Sequence, residues 1–87
     1  MTKPVIFPKR MKVHPLFQRM ADKWPSSVFS RDQVKEFTGG LVNPRSLANL
    51  DSMRKGPDGR YRLGRKVFYD VEKFVVWLDN RAKIERD

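Results

Sequence analysis

Between Ser30 and Pro57, helix-starting and helix-stopping residues follow one another so closely that only short helices fit. Ser30-Arg31-Asp32-Gln33 has the form of a capping box, in which serine and glutamine each satisfy an amide at the start of a helix. Phe29 and Val34 stand where a hydrophobic staple closes such a start, and Val34 and Phe37 then share one face. Gly39-Gly40 stop the helix after barely two turns, too few to be stable unless it packs on something else. Asn43-Pro44 opens the next helix, with asparagine as cap and proline in the first turn. Leu47, Leu50 and Met53 or Arg54 line one side of it. Gly56 is expected to end it at positive φ, and Pro57 blocks continuation. Two short helices joined through Gly39–Val42 are the outline of a helix-turn-helix.

The flanking segments complete an α+β, mostly α, expectation. Arg60-Tyr61-Arg62-Leu63-Gly64-Arg65-Lys66-Val67-Phe68-Tyr69 reads as a two-stranded β-hairpin with Gly64 first in a II′ turn. That register pairs Leu63 with Lys66, Arg62 with Val67, Tyr61 with Phe68 and Arg60 with Tyr69. Cross-strand partners share a side, so Tyr61, Leu63 and Phe68 are expected on the core and Arg60 and Arg62 on the opposite, outer face. Asp70 caps a last helix to about Ile84, whose buried stripe is Val71, Phe74, Val75, Leu78 and Ala82. Val76, Trp77 and Ile84 lie off that stripe. An N-terminal helix is the first candidate to cover them, and a protein partner the second. Residues 1–25 form a basic arm, with Lys9, Arg10 and Lys12, followed by a short helix after Pro15 carrying Leu16, Phe17, Met20 and Trp24. Residues 26–87 form the main domain.

Eighty-seven residues make one domain's worth of chain with a modest core. No cysteine is present, which removes disulfides, thiolate metal sites and cysteine nucleophiles together. His14 is the only histidine and has no HExxH or paired-carboxylate context, so it is expected at a helix start or on the surface. There is no Walker loop, dinucleotide fingerprint or nucleophile elbow. The expectation is a protein that is not an enzyme and uses no cofactor or metal. No apolar run is long enough for a signal peptide or a membrane span, so cytoplasmic residence is the default and no membrane partner is expected.

Charge is the positive signal. The net charge is +9, and it is unevenly distributed. Residues 1–25 hold six basic and one acidic residue, and 45–66 hold seven basic and two acidic. The segments 26–44 and 67–87 are near balance. Blocks of one sign point to a polyanionic partner rather than to a generic solvated surface.

Val28-Phe29-Ser30-Arg31, Thr38-Gly39-Gly40-Leu41, Leu47-Ala48-Asn49-Leu50-Asp51, Leu63-Gly64-Arg65-Lys66-Val67-Phe68-Tyr69 and Val75-Val76-Trp77-Leu78 together resemble the excisionase and AlpA branch of the MerR-like helix-turn-helix families. The resemblance covers roughly residues 28–82 and lies in the order of the elements rather than in any one motif. It implies a winged helix-turn-helix that puts its second helix in the major groove and its hairpin wing on the backbone or minor groove. It also implies double-stranded DNA as partner, with an excisionase (recombination directionality factor) or small transcriptional regulator of a phage or mobile element as the role. Neighbouring protomers on DNA or a recombinase are the further partners implied. A phage terminase small-subunit-like recognition domain, a basic RNA-binding protein and a protein-interaction scaffold are the alternatives.

On the second helix, Arg45, Ser46, Asn49 and Ser52 face away from Leu47 and Leu50. Arginine can grip guanine and asparagine adenine through two hydrogen bonds each, so these are the candidate base readers. Arg31, Arg54, Lys55, Arg60, Arg62, Arg65 and Lys66 are the candidate backbone contacts, with Lys9, Arg10 and Lys12 in the arm. For Arg31 a surface pair with Asp32 or Glu36 competes. Val76, Trp77 and Ile84 are the candidate protein–protein surface. Tyr61, Phe68, Tyr69 and Trp77 are expected in the core rather than on a base-stacking platform.

Overall fold

In the computed structural model, which describes residues 13–82, four helices pack on one side of a three-stranded antiparallel sheet. Each helix begins where the local chemistry provides a cap. Helix α1 (Pro15–Lys23) follows His14, whose Nδ1 accepts the Leu16 amide at 3.1 Å, and Pro15 fills the first turn. A single 3-10 turn (Arg31–Gln33) precedes α2 (Val34–Phe37), and the Ser30 amide donates to Gln33 Oε1 at 3.0 Å. Asn43 Oδ1 accepts the Ser46 amide at 2.8 Å at the start of α3 (Pro44–Ser52). Asp70 does the same for Lys73 at 3.0 Å at the start of α4 (Val71–Arg81).

Strands β2 (Arg60–Leu63) and β3 (Lys66–Asp70) pair in the expected register, Arg60 opposite Tyr69 through Leu63 opposite Lys66. Gly64 at φ 60° opens the turn, as a II′ hairpin requires. A third strand, β1 (Val28–Ser30), was not expected from the sequence. It pairs with β3, placing Phe29 opposite Tyr69, so β3 is central and β2 is an edge.

This third strand explains the main correction to the sequence reading. The expected faces of the hairpin are exchanged: Val67 and Tyr69 are buried, while Tyr61 and Leu63 are exposed. Arg60 and Arg62 therefore share the core side, and Tyr61, Leu63 and Phe68 share the outer side. Register is set by the turn, but the choice of face is set by what lies beneath. Phe29, Phe37, Tyr69 and Phe74 form an aromatic cluster there, with Phe29 centroids 4.5, 5.5 and 4.8 Å from those of Phe37, Tyr69 and Phe74. An inward Tyr69 completes that cluster, whereas Phe68 could not reach it.

Other differences are local. Leu16 and Met53 are exposed, and α1 instead buries Phe17 and Ala21. Helix α3 buries Leu47 and, one turn later, Asp51. The positive φ after α3 belongs to Arg54, at 61°, and Gly56 has another role described below. Ala82 caps α4 and is exposed rather than part of the stripe, while Val71, Phe74, Val75 and Leu78 are buried as expected. Helix α1 packs on α4, and the His14 amide donates to Asp79 at 3.0 Å. No helix among the described residues is long and apolar enough to cross a membrane.

The α2–α3 connection turns on one hydroxyl. Thr38 is 3% exposed, and its Oγ1 donates to the Val34 carbonyl at 2.7 Å while accepting the Val42 amide at 3.1 Å. Gly39 and Gly40 supply consecutive positive φ angles of 65° and 92° between these anchors. Thr38→Val keeps the shape but orphans the Val42 amide and the hydroxyl's share of the turn. We expect it to cost about 1–3 kcal/mol in urea unfolding, and Thr38→Ser to recover most of that loss.

Candidate nucleic-acid interface

The second block of basic residues lies on α3, the loop after it and the hairpin, and its organisation starts from an acid. Asp51 lies one turn after Leu47 on the inner side of α3, where a carboxylate is costly unless paired and hydrogen-bonded. Three side chains from three other elements satisfy it. Arg31 Nη2 donates to Oδ2 at 2.8 Å, and the Tyr69 hydroxyl donates to the same oxygen at 2.6 Å. Arg60 approaches Oδ1 at a longer 3.5 Å and remains about half exposed. Arg31 Nε also donates to the Tyr69 oxygen at 3.0 Å, closing a triangle. The 3-10 turn, α3, β2 and β3 are thus tied at one carboxylate.

The loop after α3 wraps the same group. A Cβ on Gly56 would collide with the Asp51 carboxylate, so glycine is required there for close approach rather than for backbone sign. The helix ends in a Schellman arrangement, with Lys55 N donating to the Leu50 carbonyl at 2.8 Å and Arg54 N to that of Asp51 at 3.0 Å. Arg54 occupies the left-handed position that glycine usually takes, at a cost of about 1 kcal/mol. Trp77 then holds the loop from α4, donating from its indole to the Lys55 carbonyl at 3.0 Å.

These contacts sort the residues anticipated from sequence. Arg45, Ser46, Asn49 and Ser52 all lie on the exposed side of α3, as expected. The Ser52 hydroxyl donates to the Asn49 carbonyl of its own helix at 3.2 Å. Arg54, Lys55, Arg62 and Arg65 are exposed and outside the ion pairs found among the described residues. Lys66 makes an exposed pair with Asp32 at 3.2 Å, which tethers the hairpin to the 3-10 turn and is worth at most about 1 kcal/mol.

Arg31 departs from both sequence-based readings, because its nitrogens are turned inward to Asp51 and Tyr69 rather than to Asp32, Glu36 or open solvent. Trp77 departs from its reading as a protein–protein surface and follows its reading as a core residue. It is half-buried against Phe74, its N–H is taken, and Arg81 lies 5.2 Å over its ring. Val76 beside it is half-buried. Lys9, Arg10, Lys12 and Ile84 lie outside the described residues. Sequence reasoning missed Asp51 as the organising group. The available signal was its place four residues after Leu47 on the apolar side of the helix.

Burial and the hydrogen bond to Asp51 push the Tyr69 hydroxyl up to about 12 from 10.0. Burial opposes the Arg31 charge, but its bonds to Tyr69 and Asp51 outweigh this and raise its pKa. Among the described residues no group of three or more His, Cys, Asp or Glu side chains is placed to hold a metal. Comparison with protein-family models, curated proteins and solved structures finds no match to this chain.

The tyrosine has a consequence for alkaline stability. Between the ordinary tyrosine value and about 12, the unfolded chain releases the Tyr69 proton while the folded chain keeps it. Fewer protons bound in the unfolded state means stability falls as pH rises through that interval. Denaturant titrations across it should show a steeper decline for the unmodified protein than for Tyr69→Phe. Equal slopes would mean that Tyr69 titrates normally in the folded chain.

Proposed function

We propose that this chain is a winged helix-turn-helix module that binds double-stranded DNA in a sequence-specific way. Helix α3 enters the major groove and the β2–β3 hairpin acts as the wing on the flanking backbone. The supporting observation is the sorting of charge around α3. Its one acid, Asp51, is buried and neutralised from within, while Arg45, Arg54 and Lys55 stand exposed on and beside the helix. The outer surface of α3 is left with Arg45, Ser46, Asn49 and Ser52, which are donors and acceptors suited to base edges. Arg54, Lys55, Arg60, Arg62, Arg65 and Lys66 supply the phosphate contacts, with Arg60, at the base of the wing, shared with Asp51. Arg31 acts indirectly, by holding α3 against the sheet. Excision or transcription control in a mobile element is the role this reading favours, following the resemblance of residues 28–82 to the excisionase and AlpA branch.

Selection of bound duplexes from a fully randomised pool at physiological salt tests the proposal. An enriched motif supports it, and stronger capture of structured RNA than of duplex DNA in competition overturns it. Within an enriched site, Arg45→Ala should lose about 1–3 kcal/mol of discrimination at one base position. Arg65→Ala should weaken all sequences alike and flatten the log–log salt slope by about one contact's worth, 0.9.

Arg54 offers an independent check. A left-handed arginine is unfavourable for folding, and such strain is retained where a site uses the side chain. Arg54→Gly should therefore stabilise the fold by about 0.5–1 kcal/mol while weakening duplex binding. A variant that is more stable and binds as well as the parent would remove Arg54 from the interface.

A further inference from the structure

The exchange of hairpin faces leaves a leucine in an unusual place. Leu63 is 75% exposed, the most exposed of the large hydrophobic residues among the described residues, and it stands at the end of β2 immediately before the turn. Behind it on the same outer face, Tyr61 is 49% exposed and stacks on Phe68, with ring centroids 5.5 Å apart. In the two-residue turn beyond, Gly64 carries no side chain, a Cβ built there meets nothing within 4 Å, and Arg65 is exposed. Beside this apolar edge stand Arg65 in the turn, Lys66 opposite Leu63 and paired with Asp32, and Arg62 on the other face of the ribbon, all exposed. None of these three outer apolar side chains belongs to the buried core.

We propose that Leu63 is a wedge that enters the DNA minor groove beside the site occupied by α3 and partly unstacks a base step. The proposal rests on the duplex-binding reading above and adds to it a mode of contact. The minor groove is about 6 Å wide, and apolar side chains inserted there pry base steps apart and kink the duplex. A two-stranded ribbon is too wide for such a slot, so only the exposed side chain beside the turn enters, and leucine is one of the side chains used this way. Charge decides between this occupant and an apolar pocket on another protein. A protein pocket accepting Leu63 would have to desolvate Arg62 and Arg65 or provide acids for them, since of the three cations only Lys66 already has one among the described residues, in Asp32. The minor groove has a phosphate backbone along both edges and meets Arg62 and Arg65, on either side of the ribbon's end, while the leucine goes between. Tyr61 and Phe68 then lie behind the wedge, against the sugar wall.

The test uses the full chain and a duplex recovered from the selection, or a random duplex if none is enriched. Donor and acceptor dyes at its ends report bending, and 2-aminopurine at successive positions reports unstacking by a rise in fluorescence. The unmodified protein should bend the duplex and raise the signal at one step. Leu63→Ala should fold normally, lose the unstacking signal and most of the bend, and keep the salt slope, with affinity down about three- to tenfold. Leu63→Phe should restore the signal. Bending and unstacking that persist in Leu63→Ala overturn the wedge, as does a parent protein that binds without unstacking any step. Both of those outcomes leave the duplex-binding reading standing. Absence of duplex binding by the parent overturns that reading and the wedge together.

Discussion

The structure depends on how one buried carboxylate is satisfied. Asp51 sits on the inner side of α3 with two hydrogen bonds at 2.8 and 2.6 Å and a third cation nearby. A carboxylate in that position needs partners, and its partners come from the 3-10 turn, the edge strand and the central strand. The orientation of α3 against the sheet is therefore set by polar geometry as well as by the burial of Leu47. The same requirement reaches into the next loop, where Gly56 leaves room for the carboxylate and Arg54 accepts an unfavourable φ.

Around this node the chain builds a small aromatic core. Phe29 comes from the strand that no hairpin rule foresaw, and it contacts Phe37, Tyr69 and Phe74 from three different elements. Tyr69 belongs to both systems, its ring in the aromatic cluster and its hydroxyl on Asp51. Helix α2 is only four residues long, and it persists because Val34 and Phe37 are buried in this core and Thr38 fixes its exit. Trp77 has a similar double use on the far side, packing on Phe74 while holding the Lys55 carbonyl. Its half-burial explains why a residue that looks available on a helical wheel is occupied in the fold.

The exposed consequences of that core bear on function. With Asp51 turned in, the outer face of α3 carries no acid, and the hairpin adds cations beside it. Burying Val67 and Tyr69 turns the other side of the hairpin outward, which places Tyr61 and Leu63 in solvent among arginines and a lysine. Such an apolar and cationic tip is a product of packing beneath the sheet, since nothing in the hairpin's own sequence favours it over the reverse.

What the sequence alone determined is what neighbours in the chain decide. Caps at Asn43 and Asp70, the glutamine of the capping box, the Gly39-Gly40 stop and the β2–β3 register each depend on a few consecutive residues, and each was legible. So were the polar outer face of α3 and the unequal spread of charge, which follow from spacing and composition. Three features depended instead on groups far apart in sequence. Strand β1 forms only because β3 offers it an open edge. The hairpin's inner face is the one whose tyrosine completes the cluster with Phe29 and Phe74. Arg31 and Asp51 find each other across twenty residues. A two-faced ribbon and a lone acid on a helix each have more than one local solution, and only the surface packed against them selects between those solutions.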